Sequence, residues 1–379
     1  MILTPEMSLL IKASLGDACT LPFPVEQREI DWVKLQRQAR WNQVRPLLFE
    51  NLPEPAAGDR ADRVVAYLKD FSVGQAVTNM AFSGISVDLY QQLTDRGISA
   101  FLMKGALWAW MLYEKPGLRE FGDIDFFVAK HDIKNSLAVF SKNGFEPDSY
   151  RQYLLNEKDT SEEYLNTDYQ LPLTPIEENT LQSLEIQWNC SYPRYLFNFS
   201  WEELSQDMME FTIMGKAVKI PRIENQFLMM LVHHAGVEQW DKLKYMADFV
   251  RLLQRFAHSM DWQYVTEVAR RKGFYNLMME SLGVAAAFTG GNYTKLADAA
   301  HMKSYPSKAF LTEILQHWED ERVSVKTKSL RILSYNMRYR DDLETKSAIL
   351  AAHVGYATHW RLIWNKWVWY NRQTSQASK

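Results

Sequence analysis

The stretch around Phe101–Val128 constrains the fold of this chain more than any other. It begins within an apolar run, Ile98–Met103, which is typical of a buried strand. Lys104 and Gly105 interrupt that run, and an apolar helix-like segment, Ala106–Tyr113, follows until a Pro-Gly pair ends it. A second apolar strand comes next. The sequence therefore predicts a strand, a helix and a second strand in close succession.

The second strand, Asp123–Val128, carries two carboxylates separated by one residue. Because side chains alternate across a strand, Asp123 and Asp125 point to the same side. Two like charges on one face of an apolar strand repel each other and resist the loss of hydration. A cation between them removes that penalty, and Mg²⁺ is the usual choice where paired carboxylates work with phosphate oxygens. The pair predicts a magnesium site, although a solvated strand edge is the alternative for such a pair taken alone.

Two further features favour the metal site. The Lys104-Gly105 break stands where a strand meets a helix, and a helix N-terminus offers free N–H groups and the positive end of its dipole to a phosphate. Glu185 is a third carboxylate on a later apolar strand, where an acidic side chain is unfavourable without a partner. Its alternative is an ion pair with a base such as Arg194.

Composition limits the class of protein and its compartment. With 379 residues, 47% of them hydrophobic and 23% charged, the chain is typical of one to three globular domains. The net charge of −3 gives no overall footprint for nucleic acid. Two cysteines, Cys19 and Cys190, make neither a disulfide framework nor a metal quartet, so we interpret Cys190 as structural and expect a reducing compartment. We also expect no ordinary signal peptide, and no apolar stretch approaches the roughly 18 residues that span a bilayer, so we expect a cytoplasmic protein.

Apolar periodicity divides the chain into three consecutive parts. We expect an N-terminal helical region at 1–95, a core that mixes strands with helices at 96–222, and a C-terminal helical domain at 223–379. Within the core, the alternation predicts strands at Tyr169–Leu173 and Leu184–Trp188 and a hairpin at Phe211–Ile220. Ser149–Asn166 is polar and fits either a loop or an irregular helix. Predicted helices are Met7–Leu15 with Thr4 as cap, Asp31–Leu52, Ala61–Arg96, His131–Asn143, Gln226–Gly236, Asp241–Phe256, Trp262–Lys272 and Tyr275–Phe288.

These elements resemble the nucleotidyltransferase superfamily with the polymerase-beta-like fold. Its pattern is a glycine turn, an acidic pair one residue apart and a third acid on a later strand. A closer resemblance is to a bacterial family of uncharacterised nucleotidyltransferases, over roughly residues 5–260. The motifs that carry it are Met103-Lys104-Gly105, Leu112-Tyr113, Pro116-Gly117-Leu118-Arg119, Asp123-Ile124-Asp125 and Leu184-Glu185-Ile186-Gln187-Trp188.

The resemblance implies a fold and an activity. The fold would be α+β, with a mixed sheet in the core and helical regions on its N-terminal and C-terminal sides. The activity would be Mg²⁺-dependent transfer of a nucleoside monophosphate from an NTP to a hydroxyl or similar acceptor. In-line attack on an α-phosphate depends mostly on positioning and on neutralising charge.

The resemblance also implies roles for single residues. Asp123, Asp125 and Glu185 would be catalytic and hold the metal, and Glu185 would activate the acceptor hydroxyl through that metal or act as its base. The residues that would bind the nucleotide are Lys104, Gly105, Ala106 and Arg119. Among them, the two backbone N–H groups at the turn would cradle phosphate, and the two cations would offset charge on the triphosphate or on pyrophosphate.

Alternatives stay open for the function and for both cations. The superfamily's Gly-Ser turn is Lys104-Gly105-Ala106 here, and Gln187 stands where the family often has His. Both departures favour a catalytically silent module that binds a nucleotide or a partner, and a phosphotransferase would need the same acids and metal. Lys104 fits a solvated strand end, and Arg119 fits an ion pair with Glu120 or Asp123. The acidic balance favours a small molecule, a peptide or a protein over nucleic acid as acceptor.

Two remaining clusters have a structural interpretation first. His233 and His234 near Asp248 suggest a metal, but neighbours on a helix diverge by about 100°, so a core or capping role is favoured. Near the C-terminus, aromatic residues recur at helical spacing with cations between them. That pattern predicts a helix packed on the domain by its aromatic face, with a membrane-surface helix as the alternative. The aromatic residues are Trp360, Trp364 and Trp367.

Overall fold

The computed structural model describes residues 1–16, 19–52, 58–156, 158–177, 183–299, 303–320 and 328–377, without the side chains of 158–159 and 370–377. Cys190, which we interpreted as structural, is buried. The sequence also predicts a turn at Pro53–Gly58, and all of it except Gly58 lies outside the described residues. Within these ranges no helix is both long and apolar enough to cross a bilayer.

The described residues form eighteen α-helices and seven strands. The helices are α1 (Pro5–Leu15), α2 (Trp32–Trp41), α3 (Arg45–Glu50), α4 (Asp59–Thr94), α5 (Gly105–Leu112), α6 (Ile133–Lys142), α7 (Ser149–Asn156), α8 (Lys158–Thr167), α9 (Trp201–Ser205), α10 (Ile223–Leu231), α11 (Leu243–Phe256), α12 (Trp262–Arg271), α13 (Tyr275–Thr289), α14 (Tyr293–Ala297), α15 (Lys308–Glu319), α16 (Lys328–Tyr339), α17 (Leu343–Tyr356) and α18 (Trp360–Ala377). The strands are β1 (Ala100–Met103), β2 (Ile124–Val128), β3 (Phe145–Pro147), β4 (Gln170–Pro175), β5 (Leu184–Gln187), β6 (Met208–Ile213) and β7 (Lys216–Pro221).

A five-stranded mixed sheet and a two-stranded hairpin hold all seven strands. The sheet has the order β1-β2-β5-β4-β3, in which β2 and β5 are parallel and the other neighbours are antiparallel. Strands β6 and β7 form the hairpin, and its two turn residues, Met214 and Gly215, have φ of 51° and 76°, as tight hairpin turns require. The predicted α+β class with a mixed sheet is confirmed, as are the strands and the hairpin.

The chain divides into two compact units, each assembled from three segments. Unit 1 consists of residues 1–83, 104–121 and 222–341 and is helical, whereas unit 2 consists of residues 84–103, 122–221 and 342–379 and contains both sheets. The predicted boundaries at 95 and 222 divide the chain into consecutive parts, whereas each of the two units combines three separate segments of the sequence. Unit 2 takes most of the predicted core, and residues 104–121, which carry the turn and α5, are assigned to unit 1.

Local signals explain where several elements begin and end. Thr4 caps α1 as predicted, because its side chain accepts a hydrogen bond from the Met7 N–H. Gly144 follows α6 with φ of +82°, a conformation that suits glycine. At the start of α9, Ser200 and Glu203 form a reciprocal capping box.

The prediction of one helix over Asp31–Leu52 is wrong, because the chain forms α2 and α3 with a break between them. Gln43, inside the break, has φ of +53°, which no α-helix accommodates. Pro46 lies in the first turn of α3, where its missing N–H does no harm, and proline disfavours helical backbone in the residue before it. The apolar period continues across the break, so periodicity alone did not reveal it.

The five-stranded sheet has two chemically different faces. One face is apolar along its whole width, from Leu102 on β1 through Phe126 on β2 and Ile186 on β5 to Leu171 on β4, and Phe126 packs on Phe140 of α6 at 5.4 Å between ring centroids. The other face carries both apolar and charged groups, and we call it the acidic face. Its members are Phe101, Met103, Asp125, Phe127, Glu185 and Gln187.

Candidate active site

The acidic face brings two of the predicted carboxylates together. Asp125 on β2 and Glu185 on β5 are Cα partners in the parallel register, so their side chains leave the sheet next to each other. Asp125 is only 3% exposed, and Glu185 is half-buried. Asp123 comes one residue before β2 and is also half-buried. Strand alternation paired Asp123 with Asp125 in the sequence, whereas the register of the sheet pairs Asp125 with Glu185.

An aromatic stack lies farther along the same face. Phe101 and Phe127 stack at 4.9 Å with their planes parallel, and Trp201 of α9 lies 5.6 Å from Phe101 and 6.5 Å from Phe127. These rings exclude water from one end of the acidic face. A carboxylate beside them loses hydration, which makes a hydrogen-bond donor or a cation necessary.

Gln187 supplies that donor. Its Nε2 amide donates to Asp125 Oδ1 at 2.7 Å and to Glu185 Oε2 at 3.0 Å, and Gln170 Nε2 donates to Glu185 Oε1 at 3.3 Å. Gln187 is itself fully buried. Sequence reasoning treated Gln187 only as a departure from the family pattern. The signal was present, because a residue two positions after Glu185 on a strand shares its face.

The donor chemistry of the acidic face fits a magnesium ion. Mg²⁺ prefers carboxylate oxygens, and Asp125 and Glu185 present them from adjacent strands. Within the described ranges no group of three or more His, Cys, Asp or Glu side chains is arranged to hold a metal ion, so Asp123 does not join the other two acids in such a group. The structure brings together a pair of acids bridged by an amide.

The turn after β1 has an unusual backbone. Lys104, directly after Met103, has φ of 52° and ψ of −138°, a conformation that is rare for a residue with a side chain and is found most often at functional sites. Its carbonyl accepts the first hydrogen bond of α5, from the Trp108 N–H at 2.9 Å. Gly105 and Ala106 are therefore in the first turn, where helix N–H groups have no partner within the helix. Lys104 is 9% exposed.

Arg119 is buried in an ion pair within unit 1. Its Nε and Nη2 donate to the two carboxylate oxygens of Asp248 at 3.0 and 2.9 Å, and it is 4% exposed while Asp248 is fully buried. Sequence analysis offered Glu120 or Asp123 as the ion-pair partner, and Glu120 instead pairs with Arg45 at 2.7 Å. The geometry favours a structural role for Arg119 over the predicted phosphate-binding role.

Two more side chains complete the surroundings of Asp248. The Tyr113 hydroxyl donates to Asp248 Oδ1 at 2.7 Å, and His234 Nε2 lies 3.2 Å from Oδ2. His233 and His234 lie in a π-helical turn at Val232–Val237, and their Nδ1 atoms are 3.0 Å apart. The predicted core role of His234 is confirmed, since it is fully buried. The planes of the two rings are 69° apart, and among the described residues no group of three or more His, Cys, Asp or Glu side chains is arranged to hold a metal there.

Burial and charge shift the pKa values in this cluster in definite directions. Burial alone would raise the pKa of Asp248, but the Arg119 guanidinium and the hydrogen bond with His234 hold it well below its usual range. Burial lowers the pKa of His234 to about 4 despite its contact with Asp248, and burial also lowers the pKa of His233 well below its ordinary value. At neutral pH the cluster therefore contains a charged Arg–Asp pair and neutral histidines.

This cluster fixes the segment that separates the turn from the acids. Tyr113 directly follows α5, and Arg119 lies four residues before Asp123. The side chains of Tyr113 and Arg119 both donate to the carboxylate of Asp248 on α11. Arg119 Nη1 also donates to the carbonyl of Gly105 at 3.4 Å. In addition, Asn79 Nδ2 donates to the Arg119 carbonyl at 2.8 Å, so the guanidinium and the backbone of this residue are both anchored.

Unit 1 also contains a surface cavity of about 660 Å³, lined by residues of α1, α3, α5 and α11. Among them Arg251 Nη1 donates to the Ser14 carbonyl and Arg255 Nη1 to the Met111 carbonyl. None of the predicted site residues lines it. The candidate site is therefore defined by the chemistry of the acidic face and not by the shape of this cavity.

A family model described as an uncharacterised nucleotidyltransferase matches residues 28–290. The matched range includes the turn after β1, the strands that carry Asp125 and Glu185, and the helix that carries Asp248. The resemblance found in the sequence is thereby confirmed. No curated protein and no solved structure matches the chain.

Replacing Arg119 separates its two possible roles. Arg119→Gln leaves the Asp248 carboxylate buried without its cation, so we expect the free energy of unfolding in urea to fall by about 3–5 kcal/mol. Lys115→Gln, which removes an exposed ion pair with Glu50, should leave it nearly unchanged. Wild-type stability of Arg119→Gln together with weaker nucleotide binding would instead establish the phosphate role.

The neutral histidines make stability depend on pH. As pH falls below the ordinary histidine value of 6.5, the unfolded chain takes up protons that folded His234 takes up only near pH 4. The contribution of neutral His234 is therefore complete above about pH 6.5 and is lost between about pH 6.5 and 4, on the order of 3 kcal/mol.

The measurement is the free energy of unfolding by urea at a series of pH values. His234→Gln should flatten its slope between pH 6.5 and 4, while His258→Gln, at an exposed position, should keep the wild-type slope. An unchanged slope in His234→Gln would show that His234 is not held neutral by burial.

Proposed function

We propose that this chain, which belongs to the family of uncharacterised nucleotidyltransferases, transfers a nucleoside monophosphate from an NTP to a hydroxyl or similar acceptor with the help of Mg²⁺. The observation that carries the proposal is the pairing of Asp125 with Glu185 at partner positions of adjacent strands. A fold gains nothing in stability from two carboxylates so placed, because they repel each other and lose hydration. Their presence is explained by a cation that they bind.

Asp125 and Glu185 would hold the magnesium ion, and Asp123, the third ligand predicted from the sequence, would have to move to join them. All three offer carboxylate oxygens, and Glu185 and Asp123 are half-buried, which leaves part of each side chain accessible to solvent. The chemistry that a bound Mg²⁺ supplies is neutralisation of charge on the triphosphate and on the leaving pyrophosphate. Gln187 would position the two acids on β2 and β5, because its amide is within hydrogen-bond distance of both.

The remaining roles belong to the protein's own groups. The acceptor oxygen would attack the α-phosphorus in line as the bond to the bridging oxygen of the leaving pyrophosphate breaks, and Glu185 would activate the acceptor hydroxyl through the metal or take its proton as the base. The N–H groups of Gly105 and Ala106 would bind phosphate, since a helix N-terminus favours an anion. Lys104 would offset phosphate charge, and Arg119 would act through position, by holding the segment between the turn and the acids.

The acceptor is proposed as a class only. A net charge of −3 favours a small molecule, a peptide or a protein hydroxyl over nucleic acid, whose phosphates bind best to a basic surface. In-line transfer places no further demand on the acceptor than an accessible hydroxyl or similar nucleophile. The experiment below therefore leaves the acceptor unspecified.

A second candidate function is a catalytically silent module that binds a nucleotide or a partner. It is favoured by Gln187, whose amide occupies one oxygen of each acid, and by the lack of a serine in the turn at Lys104-Gly105-Ala106. In such a module the amide replaces the cation permanently. In an active enzyme the Gln187 amide would release at least one of the two carboxylates to the metal.

Radioactive label distinguishes these functions. Protein and cell extract are incubated with each NTP labelled at the α- or at the γ-phosphate, with Mg²⁺ or with EDTA. We expect Mg²⁺-dependent transfer of the α-label, and a fall of at least about 100-fold in Asp125→Asn, the scale of removing one charge-stabilising group. Asp88→Asn, at an exposed aspartate of unit 2, is the matched control and should be fully active.

Each other result has a definite meaning. Transfer of γ-label alone would identify a phosphotransferase, and nucleotide binding without any transfer would identify a silent module. Undiminished α-transfer by Asp125→Asn would contradict the assignment of Asp125. Circular dichroism and the unfolding midpoint of each variant establish that the comparison is made between folded proteins.

The amide of Gln187 generates a further prediction. Gln187→Met removes the amide that donates a hydrogen bond to each of the two acids. The two carboxylates then lose their shared donor, so the stability of the fold depends more strongly on a bound cation. The melting temperature of Gln187→Met in EDTA should be below that of the wild type, and added Mg²⁺ should raise it by more than it raises the wild type. Equal increases in the two proteins would show that the amide and the metal do not compete.

A further inference from the structure

The C-terminal helix of unit 2 turns an aromatic stripe toward solvent. Trp360, Ile363, Trp364 and Trp367 of α18 are 64%, 38%, 56% and 56% exposed. Their spacing of i, i+3, i+4 and i+7 places them on one side of the helix. Trp364 and Trp367 stack on each other at 4.8 Å. The sequence predicted that this aromatic side packs on the domain, and for these four side chains that prediction is wrong.

The opposite side of α18 is firmly attached to unit 2. Leu362 is fully buried and its N–H donates to Glu163 Oε2 at 2.8 Å. Asn365 Nδ2 donates to Thr160 Oγ1 at 2.8 Å, and the Trp369 ring lies 5.4 Å from that of Tyr153. The stripe is therefore held on the surface by contacts with α7 and α8, and its exposure does not arise from a detached helix.

The preceding helix adds to the exposed apolar surface. On α17, Leu343, Leu350 and Val354 are 81%, 49% and 73% exposed. Among the described residues, seven of the sixteen large apolar side chains that are exposed lie between 343 and 367. Isolated exposed apolar side chains are ordinary, but such a concentration marks a surface that something covers.

The charge of the same segment indicates what covers it. From Glu344 to the end of the sequence there is no further Asp or Glu, and five cations fall in these 35 residues of a chain whose net charge is −3. The cations are Lys346, Arg361, Lys366, Arg372 and Lys379. A partner surface of complementary charge is anionic. Combined with the exposed rings, this composition is that of a helix lying in a membrane interface, where tryptophan is enriched and basic side chains meet lipid phosphates.

We propose that α17 and the first part of α18, residues 343–369, bind the surface of an anionic lipid bilayer. The rings of Trp360, Trp364 and Trp367 enter the headgroup region with Ile363, while Arg361, which is exposed, extends toward lipid phosphates and keeps its charge in water. The contact holds unit 2 at the bilayer surface without crossing it. This inference does not depend on the proposed function, because it uses no residue of the acidic face.

Two other occupants fit the segment less well. A second copy of the chain would bring two segments of net positive charge against one another, since five cations and no acid follow Glu344, and charge repulsion opposes that contact. Single-stranded nucleic acid would need free aromatic faces for stacking, and Trp364 and Trp367 already cover one face of each other. Nucleic acid also gives no role to Ile363 or to Leu350 and Val354 on α17.

Sedimentation with lipid vesicles tests the proposal. The full-length protein is mixed with vesicles of phosphatidylcholine alone or with added phosphatidylglycerol, and we expect it to sediment with the anionic vesicles and to be released by salt. The triple variant Trp360→Ser/Trp364→Ser/Trp367→Ser should lose about tenfold or more of its binding. Arg361→Gln should lose part of it.

A matched control uses three exposed apolar residues on a different helix. Val73, Val77 and Met80 of α4 are 58%, 66% and 43% exposed, and replacing all three by serine should leave vesicle binding unchanged. Because all substituted side chains in both triple variants are exposed, the proteins should keep their unfolding midpoints. That is checked by circular dichroism before the comparison.

Several outcomes would overturn the proposal. These are absence of sedimentation with anionic vesicles, equal binding to neutral vesicles, and undiminished binding by the tryptophan variant. Preferential binding of a single-stranded oligonucleotide would overturn it in favour of nucleic acid. A dimer that the tryptophan variant loses, with no vesicle binding by the wild type, would overturn it in favour of a second copy.

Discussion

Two carboxylates on neighbouring strands of one sheet must be neutralised, and much of unit 2 around the candidate site is arranged to that end. Asp125 and Glu185 leave β2 and β5 side by side, and aromatic rings exclude water from one end of their face. The Gln187 amide bridges them at 2.7 and 3.0 Å. An amide offers two N–H groups but no net charge, so it satisfies oxygen atoms without cancelling the repulsion. A divalent cation would cancel that repulsion, so we interpret the amide-bridged pair of acids as the metal-free form of the proposed site.

In unit 1 a second buried charge is neutralised within the protein. Asp248 accepts hydrogen bonds from Arg119 and Tyr113, and His234 lies beside it. All of these residues belong to unit 1. A buried ion pair of this kind adds little stability compared with an apolar core, but removing one partner is severe. It is therefore best understood as a device that fixes the geometry of residues 105–119. The two clusters differ in their charge balance. Arg119 cancels the charge of Asp248, whereas the neutral Gln187 amide leaves Asp125 and Glu185 repelling each other.

Local patterns predicted most of the elements near the site. Alternation identified β2 and β5 with their acids, the Lys104-Gly105 break identified the passage from β1 to α5, and Gly215 identified the hairpin turn, since each signal lies within a few residues of what it predicts. Signals of long range were missed. The partner of Arg119 is 129 positions away, and the two units interleave segments that periodicity treats as consecutive. The break between α2 and α3 was missed for a different reason, because the apolar period continues across it. The outward stripe of α18 was missed because apolar periodicity does not say which side of a helix is covered.

The central claim is that Asp125 and Glu185 bind a divalent cation together with a nucleotide. Anomalous diffraction from crystals grown with Mn²⁺ and a non-hydrolysable NTP tests it most directly, since Mn²⁺ takes the oxygen ligands that Mg²⁺ takes and is located by its own scattering. We expect a manganese peak within coordination distance of both carboxylates, with the Gln187 amide turned away from at least one of them. A nucleotide bound with no manganese at these acids, and with the amide still bridging them, would contradict the account.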